Sequence, residues 1–315
     1  PKPLAKRMSF YLTGVAAILQ IVTSVADFFL LPYYKLHEYK FSLLWNIENP
    51  DSEYFAVNSL SLVILFCIGF VTLVSVLIAK HTIDRKKVSF VNLLMTLIFG
   101  MNGMLIVTDL FSLYVFLEIV GISSFVLIAM FKSDTGLEGA FKYLVMSSLA
   151  SIFILTGLAF VFMYAGSLQY EIISKYILNS QGSSQPYLMY VGLILLIAGF
   201  ATKSGAVPFH SWLPDAHQSA DTAISVLLSG IVIKVAGVYG IIILSNLFSS
   251  IPGVNMTFLV IGTISIIVGA LLALMQNHFK RIVAYSSVSQ VGYMLLGVGA
   301  GSTLGLLGTV THIFN

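Results

Sequence analysis

The stretch KSGAVPFHSWLPDAHQSADTAISVLLSGIVIK, residues 203–234, decides how the chain is read. It places two lysines, two histidines, two aspartates and two prolines between runs of apolar residues. Pro208 and Pro214 remove backbone donors and disfavour continuous helix, so a break is expected there. Irregular backbone beside apolar helices is tolerated in a membrane only where it is buried in protein or lines a wet cavity. The stretch therefore poses a question of both fold and function: what needs this much ionisable chemistry inside an oily chain?

The composition around it answers the first half. The chain is 58% hydrophobic and only 9% charged, where a soluble domain carries about a quarter charged residues. Lipid is the solvent, and backbone groups in lipid must be satisfied within each segment. The fold class is all-α, a polytopic transmembrane helix bundle. Spans of about 20 residues are expected near 8–32, 57–79, 88–108, 110–131, 138–166, 187–207, 220–247, 255–276 and 281–300, with another beginning near 303. The start is basic, but the apolar run behind it is too long for a signal peptide and lacks a small-residue cleavage site. It reads as a helix that stays in the membrane. The missing initiator Met and the ending THIFN inside an apolar run point to a piece of a longer protein. Stretches 33–56 and 167–186 read as surface loops, the first with a short strand around Tyr39 to Leu44. Cys67 lies in an apolar run and reads as a small packed hydrophobe.

Basic residues in the loops set the orientation. One side collects Lys2, Lys6, Arg7, Lys80, Arg85, Lys86, Lys87, Lys132, Lys280 and Arg281 and is read as cytoplasmic; the other holds Lys35, Lys40 and Lys175. These are 13 of the 16 basic residues. Lys142, Lys203 and Lys234 fall within or at the edge of predicted helices.

A charge at the bilayer centre costs about 2.5–3.5 kcal/mol on insertion scales. Glu118 lies well inside the 110–131 span and Lys234 inside 220–247. One glutamate can hold one lysine as structural glue, but it cannot hold several. Desolvation disfavours an ammonium and a nearby carboxylate favours it, so a lysine with a changing partner can load and release a proton. That is the specification of a proton relay. Glu138 and Lys142 share a helix face in the favourable order and read as an interfacial ion pair. Asp109 reads as a helix cap; Asp215 and Asp221 flank the break and read as caps or supports of half-helices. His210, His217 and His278 read as hydrogen-bonded loop residues, and His312, inside the last apolar run, as a relay candidate. No phosphate loop, nucleophile elbow, clustered metal set or basic aromatic-interleaved stripe for nucleic acid is present in the sequence. His210 and His217 in one loop are a weak metal signal.

Four stretches then carry a resemblance. DLFSLYVFLEIVGISSFVLI around Glu118, GAFKYLVMSSLASIFILTG around Lys142, KSGAVPFHSWLPDAHQSADTAISVLLSGIVIKVAGVYG and HFKRIVAYSSVSQVGYMLLGV resemble the antiporter-like proton-translocating subunits of respiratory complex I. Membrane-bound hydrogenases and multi-subunit cation/proton antiporters carry the same family of subunits. The resemblance covers most of the chain from about 57 to 315. It implies about fourteen helices with inverted five-helix repeats and broken helices, this chain starting at the family's second helix and stopping inside the eleventh. Residues 1–87 would be N-terminal helices and a polar loop, 88–247 the first repeat, and 255–315 the start of the second. By position, Glu118 and Lys203 match the family's Glu–Lys pair, Lys234 the central lysine, His312 a connecting histidine and Lys142 a basic position on the neighbouring helix, and these five make up the proton relay that the resemblance implies. Pro208, His210, Pro214 and Asp215 would support the break. The second broken helix with its exit-side residue has no counterpart here.

The resemblance implies a proton-translocating membrane subunit of a redox-driven complex in an energy-coupling membrane, plasma or inner. This chain would hold no redox cofactor; flavin, iron–sulfur or nickel–iron would sit in a peripheral redox module, with other membrane subunits as partners. Protons, and sodium as an open question, would be the cargo. The ending THIFN leans toward a hydrogenase-type complex. The alternatives are a subunit of a sodium/proton antiporter without redox partners, and a scaffold whose ion pairs only order helices.

Overall fold

The computed structural model describes residues 2–30, 39–41, 55–83, 86–131, 133–179 and 186–314. Most of the 33–56 loop, Lys35, Arg85, Lys132 and the tract at 180–185 lie outside the described residues. The helices are α1 (Lys2–Leu30), α2 (Ser59–Thr82), α3 (Lys87–Ile106), α4 (Leu110–Ala129), α5 (Asp134–Ala165), α6 (Tyr170–Asn179), α7 (Pro186–Ser204) and α8 (Trp212–Ser219). They continue with α9 (Thr222–Leu247), α10 (Val254–Leu274), α11 (Phe279–Gly299) and α12 (Thr303–Phe314). Strands β1 (Tyr39–Phe41) and β2 (Phe55–Val57) pair antiparallel. Nine helices among the described residues are long and apolar enough to cross a membrane. The chain is an integral, multi-pass membrane protein.

Compactness divides it into two units: Pro1–Leu127 with Asp221–Ile231, and Ile128–Ala220 with Val232–Asn315. In the first, Gln20 of α1 donates to the Leu65 carbonyl at 3.0 Å and trades amide hydrogen bonds with Asn102 of α3 at 3.0 and 3.2 Å. Polar side chains in lipid must find such partners, and a reciprocal amide pair satisfies donors and acceptors together. Ser75 of α2 donates to the Ala223 carbonyl at 2.9 Å. Asp109 caps α4, accepting from the Ser112 amide at 2.7 Å, and Asp221 caps α9, accepting from the Ala223 amide at 3.0 Å, as expected for a helix-capping carboxylate.

In the second unit small residues let helix backbones meet. A Cβ at Gly262 of α10 would lie 2.8 Å from the Gly292 carbonyl oxygen of α11, and one at Gly157 of α5 would lie 2.8 Å from the Gly192 carbonyl oxygen of α7. Without a hydrophobic force between helices in lipid, such close contacts supply the packing energy.

Three expectations need correcting. Residues 167–186 contain helix α6, because YEIISKYILN repeats its apolar positions at helical spacing and pairs Glu171 with Lys175 at 2.5 Å. Pro214 does not break the chain; it lies in the first turn of α8, where no intrahelical donor is lost. His217, read as a loop residue, is on α8 and fully buried.

Candidate functional site

The break expected from the prolines runs from Gly205 to Ser211. Helix α7 ends there in a Schellman arrangement: Gly205 takes a φ of +69°, its amide donates to the Thr202 carbonyl at 3.1 Å, and the Ala206 amide donates to the Ala201 carbonyl at 3.0 Å. Glycine adopts that left-handed conformation without a Cβ clash. Beyond it the Val207 amide donates to Ser265 Oγ of α10 at 3.0 Å, satisfying one donor that the break frees. The Trp212 indole donates to the Thr202 carbonyl at 3.1 Å and stacks on Tyr143 of α5, centroids 4.2 Å apart at 7°. The chain thus folds back from α8 onto the end of α7.

Lys203 is the second-last residue of α7 and only 4% exposed. Its ammonium donates to Ser147 Oγ at 2.7 Å, with Ser151 Oγ at 3.4 Å. Ser147 and Ser151 are one helical turn apart on α5, so one face of that helix presents two hydroxyls to the lysine. An ammonium can donate to a hydroxyl and a neutral amine can accept from one, so this seat suits either protonation state.

One to two turns away on α5 the chemistry changes. Lys142 Nζ meets Glu138 Oε1 at 2.7 Å and Asp215 Oδ2 at 2.7 Å. The other oxygen of Asp215 accepts from Arg281 Nη1 of α11 at 2.7 Å. Arg281 Nη1 also reaches Gln218 Oε1 at 3.0 Å, and its Nε reaches Gln276 Oε1 at 2.9 Å. Lys280 donates to the Ala220 carbonyl at 2.6 Å, closing the end of α8. The Glu138–Lys142 reading holds, and Asp215 is more than the cap or support expected from sequence: it ties α8 to α5 and α11.

Lys234 begins a π-helical run, Lys234–Tyr239, within α9, which follows another at Leu228–Val232. Such wide turns rarely occur without a local cause. Gly237 and Gly240 sit against Ser204 and Phe200 of α7 too closely for any side chain. Lys234 Nζ donates to the Ile313 carbonyl of α12 at 2.8 Å. His312, the preceding residue, pairs with Gln290 Oε1 of α11 at 2.6 Å. The structure therefore brings Lys234 to the segment carrying His312.

His210 lies in the break with its ring 6.2 Å from that of Tyr285; burial pushes its pKa down, partly offset by a hydrogen bond with the Pro208 backbone. Burial, with the Lys280 charge, pushes His217 down to about 4. Both are neutral near pH 7. Among the described residues no group of three or more His, Cys, Asp or Glu could hold a metal ion. Glu118 lies half-buried in the middle of α4, in the first unit.

Sequence reasoning misses Arg281, because a basic residue at the start of a span reads as a loop cation. It also misses Ser147 and Ser151, whose signal is their spacing of four in a helix that follows a lysine.

This chain, with its cations around a broken helix and Lys203 buried, has counterparts in known proteins. A family model described as "NADH:quinone oxidoreductase/Mrp antiporter, TM" matches residues 107–315. The chain belongs to this family. It is 36% identical over 217 residues to NADH-quinone oxidoreductase subunit N 2 of Thermodesulfovibrio yellowstonii, which covers 68% of this chain and 46% of that protein. It is 34% identical over 288 residues to NADH-quinone oxidoreductase subunit M of Pseudomonas aeruginosa, covering 87% and 55%. The chain spans about half the length of these family members. A chain of the Mrp complex from a Dietzia species matches 98% of this chain and 57% of its own length, with a TM-score of 0.83 at 23% identity. A chain of the archaeal membrane-bound sulfane sulfur reductase gives 0.80 at 24%, covering 98% and 66%. At these identities the two structures speak for the family's fold.

Proposed function

We propose that this chain is part of the proton-translocating membrane subunit of a redox-driven, complex I-like or membrane-bound hydrogenase-type complex. The observation that carries the reading is Lys203, buried at 4% exposure and seated on hydroxyls at 2.7 and 3.4 Å. A buried lysine whose neighbours suit both its charged and neutral forms can hold a proton and give it up. Lys203 is the carrier, Glu118 its partner across the cycle, and Lys234 with His312 the onward path. Lys142, expected in the relay, is proposed instead as a fixed partner of Glu138 and Asp215 beside the break. Redox energy from partner subunits drives each charge against about 2.3 kcal/mol per 100 mV of membrane potential.

The repeats proposed are 88–247 and, beginning at 255, a second of opposite orientation, with 1–87 outside both. The host sits in an energy-coupling membrane. Its flavin, iron–sulfur or nickel–iron centres lie in a peripheral module. The relatives' names, all subunits of quinone oxidoreductases in the two cited, favour a redox host over a sodium/proton antiporter. Purification of the complete protein from native membranes, with mass spectrometry of its partners and analysis of iron, nickel and flavin, tests this. Cofactor-bearing partners are expected. Small membrane partners without cofactors would instead make it an antiporter subunit, and the redox account would fall.

A further inference from the structure

The ionic cluster on Asp215 reaches the same helix, α5, that seats Lys203. Asp215 receives Lys142 on one oxygen and Arg281 on the other, each at 2.7 Å, and its side chain is 25% exposed. Arg281 is fixed further by Gln218 and Gln276, so its planar fork is held in one orientation. One turn before Asp215 on α8 stands Trp212, whose indole holds the Thr202 carbonyl at 3.1 Å. Thr202 is the residue before Lys203. Tyr143, the residue after Lys142, stacks on the same indole. A short continuous path of contacts therefore leads from Arg281 through Asp215 and Trp212 to the backbone beneath Lys203.

We infer that Arg281 is a positioning residue for proton transfer, which seats α8 through Asp215 and so keeps Trp212 on Thr202 and Lys203 on its hydroxyls. The inference rests on the reading of Lys203 as a proton carrier. The arrangement suits the task. Helix α8 is only 8 residues long and has irregular backbone on both sides, so helix propagation cannot fix its place. Its buried face, with Trp212, Leu213, Ala216 and His217, and the ion pairs on Asp215, its one acidic residue, hold it instead. The Arg281 guanidinium is held by Gln218 and Gln276 as well as by Asp215, whereas Lys142 divides its ammonium between Asp215 and Glu138. Of the two cations on Asp215, Arg281 is thus the more firmly placed anchor.

The test uses the complete complex in sealed vesicles, with Arg281→Gln and Arg281→Lys beside wild type. Three quantities are read: the amount of assembled complex, proton transport per assembled complex, and hydrogen exchange of the segment 205–219. Arg281→Gln is expected to lower transport per complex about tenfold, within the range of site-to-site couplings, and to raise exchange across 205–219 while leaving α10 unchanged. Arg281→Lys, which keeps the charge on Asp215, is expected to recover most of that loss. If Arg281→Gln does not assemble, Asp215→Asn is judged by the same readings and the same expected loss. Transport per complex that stays at the wild-type level in the assembled variant overturns the inference, as does a loss with unchanged exchange at 205–219. Lys203→Met in parallel separates the two failures. If it still transports, the carrier reading has failed; if it is silent while Arg281→Gln is normal, only the role of Arg281 has.

Discussion

Helix α5 holds two lysines of its neighbourhood in opposite ways. Toward Lys203 it offers Ser147 and Ser151, and the lysine is 4% exposed. About one turn earlier its own Lys142 stands between Glu138 and Asp215, with 43% of its side chain exposed. Carboxylates only accept hydrogen bonds, so the second seat matches an ammonium donor. Hydroxyls accept and donate, so the first tolerates both forms. One helix thus meets one lysine with hydroxyls and another with carboxylates. On the proposed reading, that difference in partner separates the carrier Lys203 from Lys142.

The largest effect expected of that contrast is at Lys203 itself. Lys203→Met should cut proton transport by about a hundredfold or more, as expected for a group that carries the proton, with the complex still assembled. Lys142→Met should leave more transport than Lys203→Met, measured in the same vesicles; the reverse order would break the contrast. Next, Ser147→Ala should lower transport about tenfold, the scale of a hydrogen bond to a charged group. Ser151→Ala, whose contact is longer, should do less. Equal effects would show that the two hydroxyls do not share the lysine as drawn.

Acidification acts on α8 instead. With its pKa held at about 4, His217 is neutral when folded, and the unfolded chain binds the extra proton between about pH 6.5 and 4. Stability of α8 should therefore be full above pH 6.5 and fall as pH drops toward 4. In His217→Phe the acid-induced loss, followed by hydrogen exchange of the purified complex, should shrink. Away from the site effects become small. Asp221→Ala removes the α9 cap and should cost about 1 kcal/mol. The exposed Glu171–Lys175 pair, 68% and 67% exposed, should be worth no more than about 0.5 kcal/mol. A larger loss for Lys175→Gln than for Asp221→Ala would overturn that ranking.

The spans were legible because apolar runs of membrane length have one solution in lipid. Even the break near residue 205 could be seen from Pro208. Its end could not, since Pro214 is compatible with the first turn of a helix as well as with a loop, and only tertiary contacts on Asp215 and Trp212 decide between them. Lys203, Lys234 and His312 stood out as charges or polar groups in apolar sequence. Their partners did not: serines are common in helices, and a backbone carbonyl such as that of Ile313 leaves no trace in sequence. Arg281 was hidden for another reason. A basic residue at a span's edge satisfies the topology rule, and that sufficient explanation concealed its hold on Asp215. The π-helical turns at Lys234 had no sequence signal either, since the glycines that allow α9 to meet α7 read as ordinary membrane-helix glycines.

The central claim is that Lys203 works by gaining and losing a proton, and not by its charge alone. The most direct test is proton yield per electron for Lys203→Arg in the complete complex, with electron transfer followed in the same sealed vesicles. Arginine keeps the positive charge and can donate to Ser147, but it does not release its proton in proteins. The account predicts a yield far below wild type while electron transfer continues. A yield equal to wild type would mean that a fixed charge suffices at this position, and the carrier role of Lys203 would be contradicted.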